Sequence, residues 1–93
     1  MKFKIIWSDS ALKDLKKLDR SISKRIFEKV SLLDNEPYRY VQRIVGSQLF
    51  KFRIGDYRVI LEIKQEVLQI LIIKAGHRKN VYDLLVVTKT KTL

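Results

Sequence analysis

The side chains that could perform acid–base or phosphate chemistry fall in two short basic stretches of the chain. They carry ammonium, guanidinium, imidazole or phenol groups: Lys51, Arg53, Arg58, His77, Arg78, Lys79 and Tyr82. RNA carries its own nucleophile, the 2′-OH beside each phosphate. A protein that cleaves RNA supplies a base, an acid for the leaving 5′-oxygen, and cations for the charge that builds on the phosphate. These residue types are sufficient for metal-free phosphoryl chemistry on RNA.

The first basic stretch lies in a predicted β-hairpin over residues 48–63. The dipeptide Gly55-Asp56 is typical of a hairpin turn. A two- or four-residue loop pairs Arg53 with Arg58, whereas a three-residue loop shifts the pairing. Strand alternation then places an apolar core set on one face of the hairpin. That set is Phe50, Phe52, Ile54, Tyr57, Val59 and Leu61.

The other face of this hairpin carries Lys51, Arg53 and Arg58. Like charges directly opposite each other on neighbouring strands destabilise a sheet. One interpretation is an ordinary solvated face on which the cations splay apart. The functional interpretation is that a polyanion binds there, because a phosphate relieves the repulsion.

The second basic stretch follows a predicted strand over residues 67–75. Its near-continuous apolar run favours a central, well-covered position in a sheet. If this strand runs antiparallel beside residues 57–63, its end returns close to Arg58. His77 and Arg78 can then approach Arg58, which would unite the two basic stretches.

Each residue of the second stretch also has a purely structural interpretation. A lone histidine is more often incidental than catalytic. The Tyr82 ring can close the edge of the core with its hydroxyl exposed. Arg78 and Lys79 can serve as a solubilising pair at the end of a strand.

Composition predicts a single domain over residues 1–93, with 84–93 as a frayed tail. The net charge of +10, from 20 basic and 10 acidic residues, suggests a polyanionic partner. Nucleic acid, an acidic protein and a membrane surface are the candidates. The chain has no apolar run of the length of a membrane span and no recognisable signal peptide. We therefore expect a cytoplasmic protein that does not enter the membrane.

Neither a metal nor an organic cofactor is expected. The chain has one histidine and no cysteine, so a transition-metal site would need converging carboxylates. The acidic residues near the basic stretches are scattered along the chain. No glycine-rich loop has the spacing that cradles a nucleotide phosphate, and no serine lies in a nucleophile elbow.

Apolar periodicity predicts an α+β fold. A short strand at residues 2–7 precedes two helices, capped by Ser8 or Ser10 and by Ser21 or Ser23. An antiparallel sheet of three or four strands then follows, with one possible short strand around 43–45. The helical hairpin lies over one face of that sheet.

Three sequence features together resemble the RelE branch of the RelE/ParE toxin superfamily. They are the run FKFRIGDYRVILEI, the GHRKNVY segment after the third long strand, and a helix opening of the form SxxAxKDLKKL. The resemblance spans Lys2 to about Asp83. It implies a RelE-like α+β toxin that cleaves mRNA at the ribosomal A site. It also implies a cognate RelB-like antitoxin that wraps and neutralises the toxin.

The resemblance also assigns roles to residues of this chain. Lys51 and Arg53 match the basic pair of the family's strand, Arg58 matches the arginine after the turn, and Arg78 matches the arginine beyond the third strand. Tyr82 matches the catalytic tyrosine. His77 would act as acid in place of Tyr82 or beside it.

Two other functions compete with the ribonuclease, and the sequence supports the first of them better than the second. A ParE-like protein would inhibit DNA gyrase by binding, without RNA chemistry. Such a binder has no need to retain the constellation of Lys51, Arg53, Arg58, His77, Arg78 and Tyr82. A non-toxic RNA-binding module would need aromatic side chains on the basic face for stacking on bases, and the pattern predicts no aromatic pair there.

Overall fold

Five β-strands and two α-helices make up the part of the chain that the computed structural model describes, residues 2–81. In chain order they are β1 (Lys4–Trp7), α1 (Asp9–Lys16), α2 (Arg20–Ser31), β2 (Val41–Arg43), β3 (Phe50–Ile54), β4 (Tyr57–Lys64) and β5 (Gln69–His77). Residues 78–81 are helical. Tyr82 and the predicted tail at 84–93 lie outside the described residues. Within residues 2–81, no helix is long and apolar enough to cross a membrane.

All five strands form one sheet, in the order β1-β5-β4-β3-β2. Every neighbouring pair is antiparallel except β1 and β5, which run parallel. The predicted α+β class is confirmed: an N-terminal strand and two helices precede four strands of a mostly antiparallel sheet. The central position predicted for the strand at 67–75 is also confirmed, since β5 lies between β1 and β4.

Each helix buries part of its apolar residues against one face of the sheet. The helical side contributes Ala11, Leu15, Ile26, Val30 and Leu33. The hairpin contributes the core set predicted from alternation, in which Phe50, Phe52, Ile54, Val59 and Leu61 are buried and Tyr57 is partly buried. Burial of this set fixes which side of the hairpin faces the helices and which side carries the cations.

Three details differ from the sequence prediction or narrow it. Ser8 is the N-cap of α1, because its side-chain oxygen accepts a hydrogen bond from the Ala11 N–H. The predicted cap of α2 is wrong: the helix begins after Asp19, and Ser23 instead donates its hydroxyl to the Leu15 carbonyl. The short strand around 43–45 is β2, displaced to Val41–Arg43.

Beyond Ile72, where the pairing with β1 ends, the edge of β5 is covered by helix α1. A β-bulge interrupts the β4–β5 ladder, since Ile60 pairs with Lys74 but Leu61 pairs with Ile72. The Ser8 hydroxyl donates to the carbonyl of the intervening residue, Ile73, over 3.1 Å. A backbone carbonyl at a bulge is left without its ladder partner, and α1 supplies the replacement.

We expect Ser8→Ala to lower the free energy of unfolding by about 1–2 kcal/mol, because it removes the helix cap together with the bond to β5. Urea denaturation followed by circular dichroism measures the change. Ser21→Ala is the matched control: Ser21 is an exposed serine in the first turn of α2. Its replacement should change the unfolding free energy by less than about 0.5 kcal/mol. Equal effects of the two substitutions would contradict the role given to Ser8.

Candidate functional site

The β3–β4 hairpin has the register that the Gly55-Asp56 turn predicts. Arg53 pairs with Arg58, and the other predicted pairs are also present: Ile54 with Tyr57, Phe52 with Val59, and Lys51 with Ile60. Gly55 has a φ of +58°, in the left-handed region that glycine enters without a steric penalty. The turn therefore fixes the two arginines directly opposite each other.

Lys51, Arg53 and Arg58 line one shallow pocket of about 170 Å³. Among residues 2–81, Tyr40 and Gln42 also line it, and none of these five lining residues carries a carboxylate. Gln42 lies on β2 directly opposite Lys51, so it shares the face of the hairpin cations. The three hairpin cations predicted from sequence are thus brought together, and two uncharged residues join them.

Sequence reasoning missed Tyr40 and Gln42. Gln42 lies in a strand of three residues, and Tyr40 is the cap residue between that strand and the preceding 3-10 turn, Pro37–Arg39. A strand this short has too few positions for alternation to reveal a face. The available signal was Gln42 itself, a polar residue between Val41 and Arg43 one strand away from the basic hairpin.

The Arg58 side chain is held over the hairpin turn by backbone carbonyls of the turn and of the preceding residue. Its Nη1 donates to the carbonyl oxygens of Gly55, at 2.8 Å, and Tyr57, at 2.9 Å. An arginine has five N–H donors, so the remaining ones can bind a ligand. The guanidinium is therefore oriented before any anion arrives, which lowers the entropic cost of binding one.

The two facing arginines of the pocket, Arg53 and Arg58, take part in neither of the ion pairs found among the described residues. Within residues 2–81, these ion pairs join Lys2 to Asp34 and Arg39 to Glu36. The pair of facing arginines is a repulsive contact in a sheet. An anion bound between them would remove that repulsion and add charge-assisted hydrogen bonds.

The second basic stretch starts beside the hairpin turn. Gly76 pairs with Arg58 and His77 with Tyr57, and the Arg78 N–H donates to the Asp56 carbonyl over 2.8 Å. The end of β5 thus returns to the hairpin. Arg78 and Lys79 are exposed in the helical residues that follow.

His77 is oriented by contacts on both sides. Its ring meets the Tyr57 ring edge to face, with the centroids 5.5 Å apart. Its Nδ1 accepts a hydrogen bond from the Lys79 N–H over 3.2 Å, so the neutral ring carries its proton on Nε2. His77 pairs with Tyr57 and shares its face of the sheet, opposite the face of the hairpin cations, so it does not line their pocket. Across residues 2–81, no three acidic or histidine side chains cluster so as to hold a metal ion.

The fold occurs in solved structures of bacterial and archaeal toxins. The chain has a TM-score of 0.76 and 26% identity to a chain of the RelBE2 toxin–antitoxin complex from Mycobacterium tuberculosis, covering 83% of this chain and 99% of that one. For the RelE–RelB complex from Pyrococcus horikoshii the values are 0.71 and 27%, covering 84% and 97%. A free E. coli RelE mutant shares the fold with a TM-score of 0.72, at 17% identity and coverage of 88% and 90%.

A family model gives the narrower assignment. The model of the ParE toxin of the parDE type II toxin–antitoxin system matches residues 5–82. The chain belongs to this family, within the RelE/ParE superfamily, and is a toxin of a type II toxin–antitoxin system. No protein of curated function matches the chain.

We predict a repulsive coupling between Arg53 and Arg58 in a double-mutant cycle of Arg53→Gln and Arg58→Gln. Because the charges face each other, the cycle should give about 0.2–1 kcal/mol in urea denaturation at low salt. The coupling should shrink between about 0.01 M and about 1 M ionic strength, as the Debye length falls from about 30 Å to about 3 Å.

The control cycle pairs Arg58→Gln with Lys64→Gln. Lys64 is an exposed cation at the far end of the same strand, about 20 Å from Arg58 at the rise of a β-strand. This pair should show no coupling at either salt concentration. An Arg53–Arg58 coupling that is zero, or that is unchanged by salt, would contradict the repulsion.

Proposed function

We propose that this toxin is an endoribonuclease that cuts mRNA at the ribosomal A site without a metal ion. The observation that supports the proposal is the convergence of Lys51, Arg53 and Arg58 in one pocket. A phosphate is the ligand class that such a pocket favours. RNA needs no further nucleophile, because the 2′-OH adjoins the bound phosphate.

The chemistry is an intramolecular transfer of the phosphoryl group. The 2′-oxygen loses its proton and attacks the phosphorus, the bond to the 5′-oxygen breaks, and the leaving oxygen takes up a proton. The product is a 2′,3′-cyclic phosphate, which water can open to a 3′-phosphate. Negative charge builds on the phosphate oxygens in the transition state, where fixed cations stabilise it most.

The residues of this chain divide the work by position. Arg53, Arg58 and Arg78 hold the scissile phosphate and stabilise its developing charge. Lys51 receives the proton of the 2′-OH or stabilises the 2′-oxyanion by its own charge. A proton reaches the 5′-oxygen from Tyr82, or from His77, which would have to approach from the Tyr57 side of the hairpin turn.

A toxin with this activity would act in the cytoplasm, on the ribosome, and would be held inactive there by an antitoxin. Lys79 and the remaining basic surface would grip RNA of the ribosome, with an affinity that falls steeply as salt rises. A RelB-like antitoxin would neutralise the toxin, as RelB accompanies RelE in the complexes from M. tuberculosis and P. horikoshii. With a net charge of +10 on the toxin, we expect an acidic antitoxin segment to cover the cationic pocket.

The second candidate function is inhibition of DNA gyrase by binding alone. The match to the ParE family model favours it. A gyrase inhibitor of this kind has no use for a preoriented phosphate pocket, so substitutions in the pocket separate the two functions.

We expect the native toxin to cut mRNA on programmed ribosomes at the A-site codon, as mapped by primer extension. Arg58→Ala should slow single-turnover cleavage by about 10²–10³-fold, the usual cost of removing one preorganised group that stabilises transition-state charge. Lys64→Ala is the control, because it removes a cation from the same strand outside the pocket. It should leave the cleavage rate within about twofold of the native rate.

The proton-transfer roles are tested in the same assay. His77→Gln and Tyr82→Phe should each be compared with the native chain, and the true general acid should cost about 10²–10⁴-fold in rate. If the native toxin makes no cuts while supercoiling by gyrase stops, the protein is a gyrase inhibitor. The ribonuclease proposal then fails.

A further inference from the structure

Tyr40 is an aromatic ring at the rim of the cationic pocket. It is 50% exposed, although tyrosine is a residue that usually buries much of its ring. The ring lines the pocket beside Arg53 and Arg58. An exposed ring next to a phosphate-sized cluster of cations is the arrangement used to hold single-stranded nucleic acids.

The backbone positions Tyr40 firmly. Its N–H donates to the Pro37 carbonyl over 3.2 Å, which closes the 3-10 turn before β2. The next residue, Val41, pairs with Phe52 on the core face. Strand alternation therefore turns Gln42 towards the cations, and Tyr40, two residues earlier, lies at the end of the same row.

A second cationic depression borders the same ring. It has a volume of about 290 Å³ and is lined by Tyr40 and Arg53 together with Arg25 and Lys29 of α2. The two depressions share Tyr40 and Arg53. Cations thus lie on both sides of one exposed ring. A nucleotide whose base stacks on that ring has a phosphate on each side, and each phosphate could then meet a cation.

One more cation, Arg39, lies near the Tyr40 ring in addition to those that line the two depressions. The guanidinium carbon of Arg39 lies 6.0 Å from the centroid of the Tyr40 ring. This distance is at the outer limit of a cation–π contact. Arg39 adds to the attraction for a nucleic-acid backbone near the ring, and its exposed side chain also forms an ion pair with Glu36 at 3.3 Å.

We propose that Tyr40 and Gln42 form a base-binding subsite for the nucleotide next to the scissile phosphate. The Tyr40 ring stacks on the base, and the Gln42 amide hydrogen-bonds the base edge with its donor and acceptor groups. The ligand class is a single-stranded ribonucleotide. The inference rests on the proposed ribonuclease function and makes β2 a determinant of which codons are cut.

The first test measures binding to two uncleavable strands by fluorescence anisotropy. One probe is a short single-stranded oligodeoxynucleotide, which lacks the 2′-OH, and the other is the same strand with its bases removed. Tyr40→Ala should weaken binding of the base-bearing strand by about 5- to 150-fold, the range of one base–aromatic stack. It should leave binding of the abasic strand nearly unchanged. Tyr40→Phe should retain native affinity for both strands.

Two control variants separate stacking from charge and from folding. Arg53→Ala should weaken binding of both strands to the same degree. It should also lower the slope of log affinity against log salt concentration by about one, as the loss of one phosphate contact does. Tyr38→Ala removes a ring of the same exposure, 51%, that lines a different depression. Tyr38→Ala should leave the ratio of affinities for the base-bearing and abasic strands unchanged. Thermal unfolding of each variant shows that the chain is folded during the binding measurement.

The second test maps the cuts on ribosomes. Tyr40→Ala and Gln42→Leu should change the relative frequencies of cutting among codons, whereas Tyr40→Phe and Tyr38→Ala should preserve the native distribution. A native toxin that cuts, with a Tyr40→Ala variant of unchanged codon distribution and unchanged preference for the base-bearing strand, overturns the subsite alone. A native toxin that does not cut overturns the proposed function and the subsite with it.

Discussion

The pairing of Arg53 with Arg58 across the β3–β4 hairpin is the contact on which the site depends. Taken alone it is unfavourable, by about 0.2–1 kcal/mol. It persists because the neighbouring residues Phe52, Ile54 and Val59 are buried on the opposite face of the same two strands. A slip of one residue would move that apolar set into water. The core therefore holds the two cations together against their repulsion.

The rest of the fold brings further groups to this pair. β2 adds Gln42 opposite Lys51, and the turn before it adds Tyr40. On the other side, β5 delivers the His77 backbone next to Tyr57. The bulge at Ile73 matters here, because it shifts the alternation of β5 by one residue and turns Ala75 towards the core.

Much of this could be predicted from the sequence, and the exceptions have physical causes. The hairpin register follows from the Gly55-Asp56 turn and from strict alternation over several residues. By contrast, the bulge at Ile73 is stabilised by a hydrogen bond from Ser8, which is 65 residues away in sequence. A local sequence pattern therefore does not predict it. The sequence also did not predict that Tyr40 and Gln42 lie on the cationic face, because β2 has only three residues and too few positions to show alternation. The start of α2 was misplaced because Asp19 occupies the cap position without a side-chain hydrogen bond.

The order of the strands has a consequence for how the chain acquires its structure. β5 is the last strand in sequence among the described residues, yet it lies between β1 and β4. The sheet therefore stays in two pieces until β5 inserts, and its parallel pairing with β1 closes a loop of nearly the whole described chain. The meander of β2, β3 and β4 consists of local contacts, which form fast, whereas distant pairings are slow. During synthesis the cationic face can take shape before β5 is made, but it gains a rigid support only once β5 has inserted between β1 and β4.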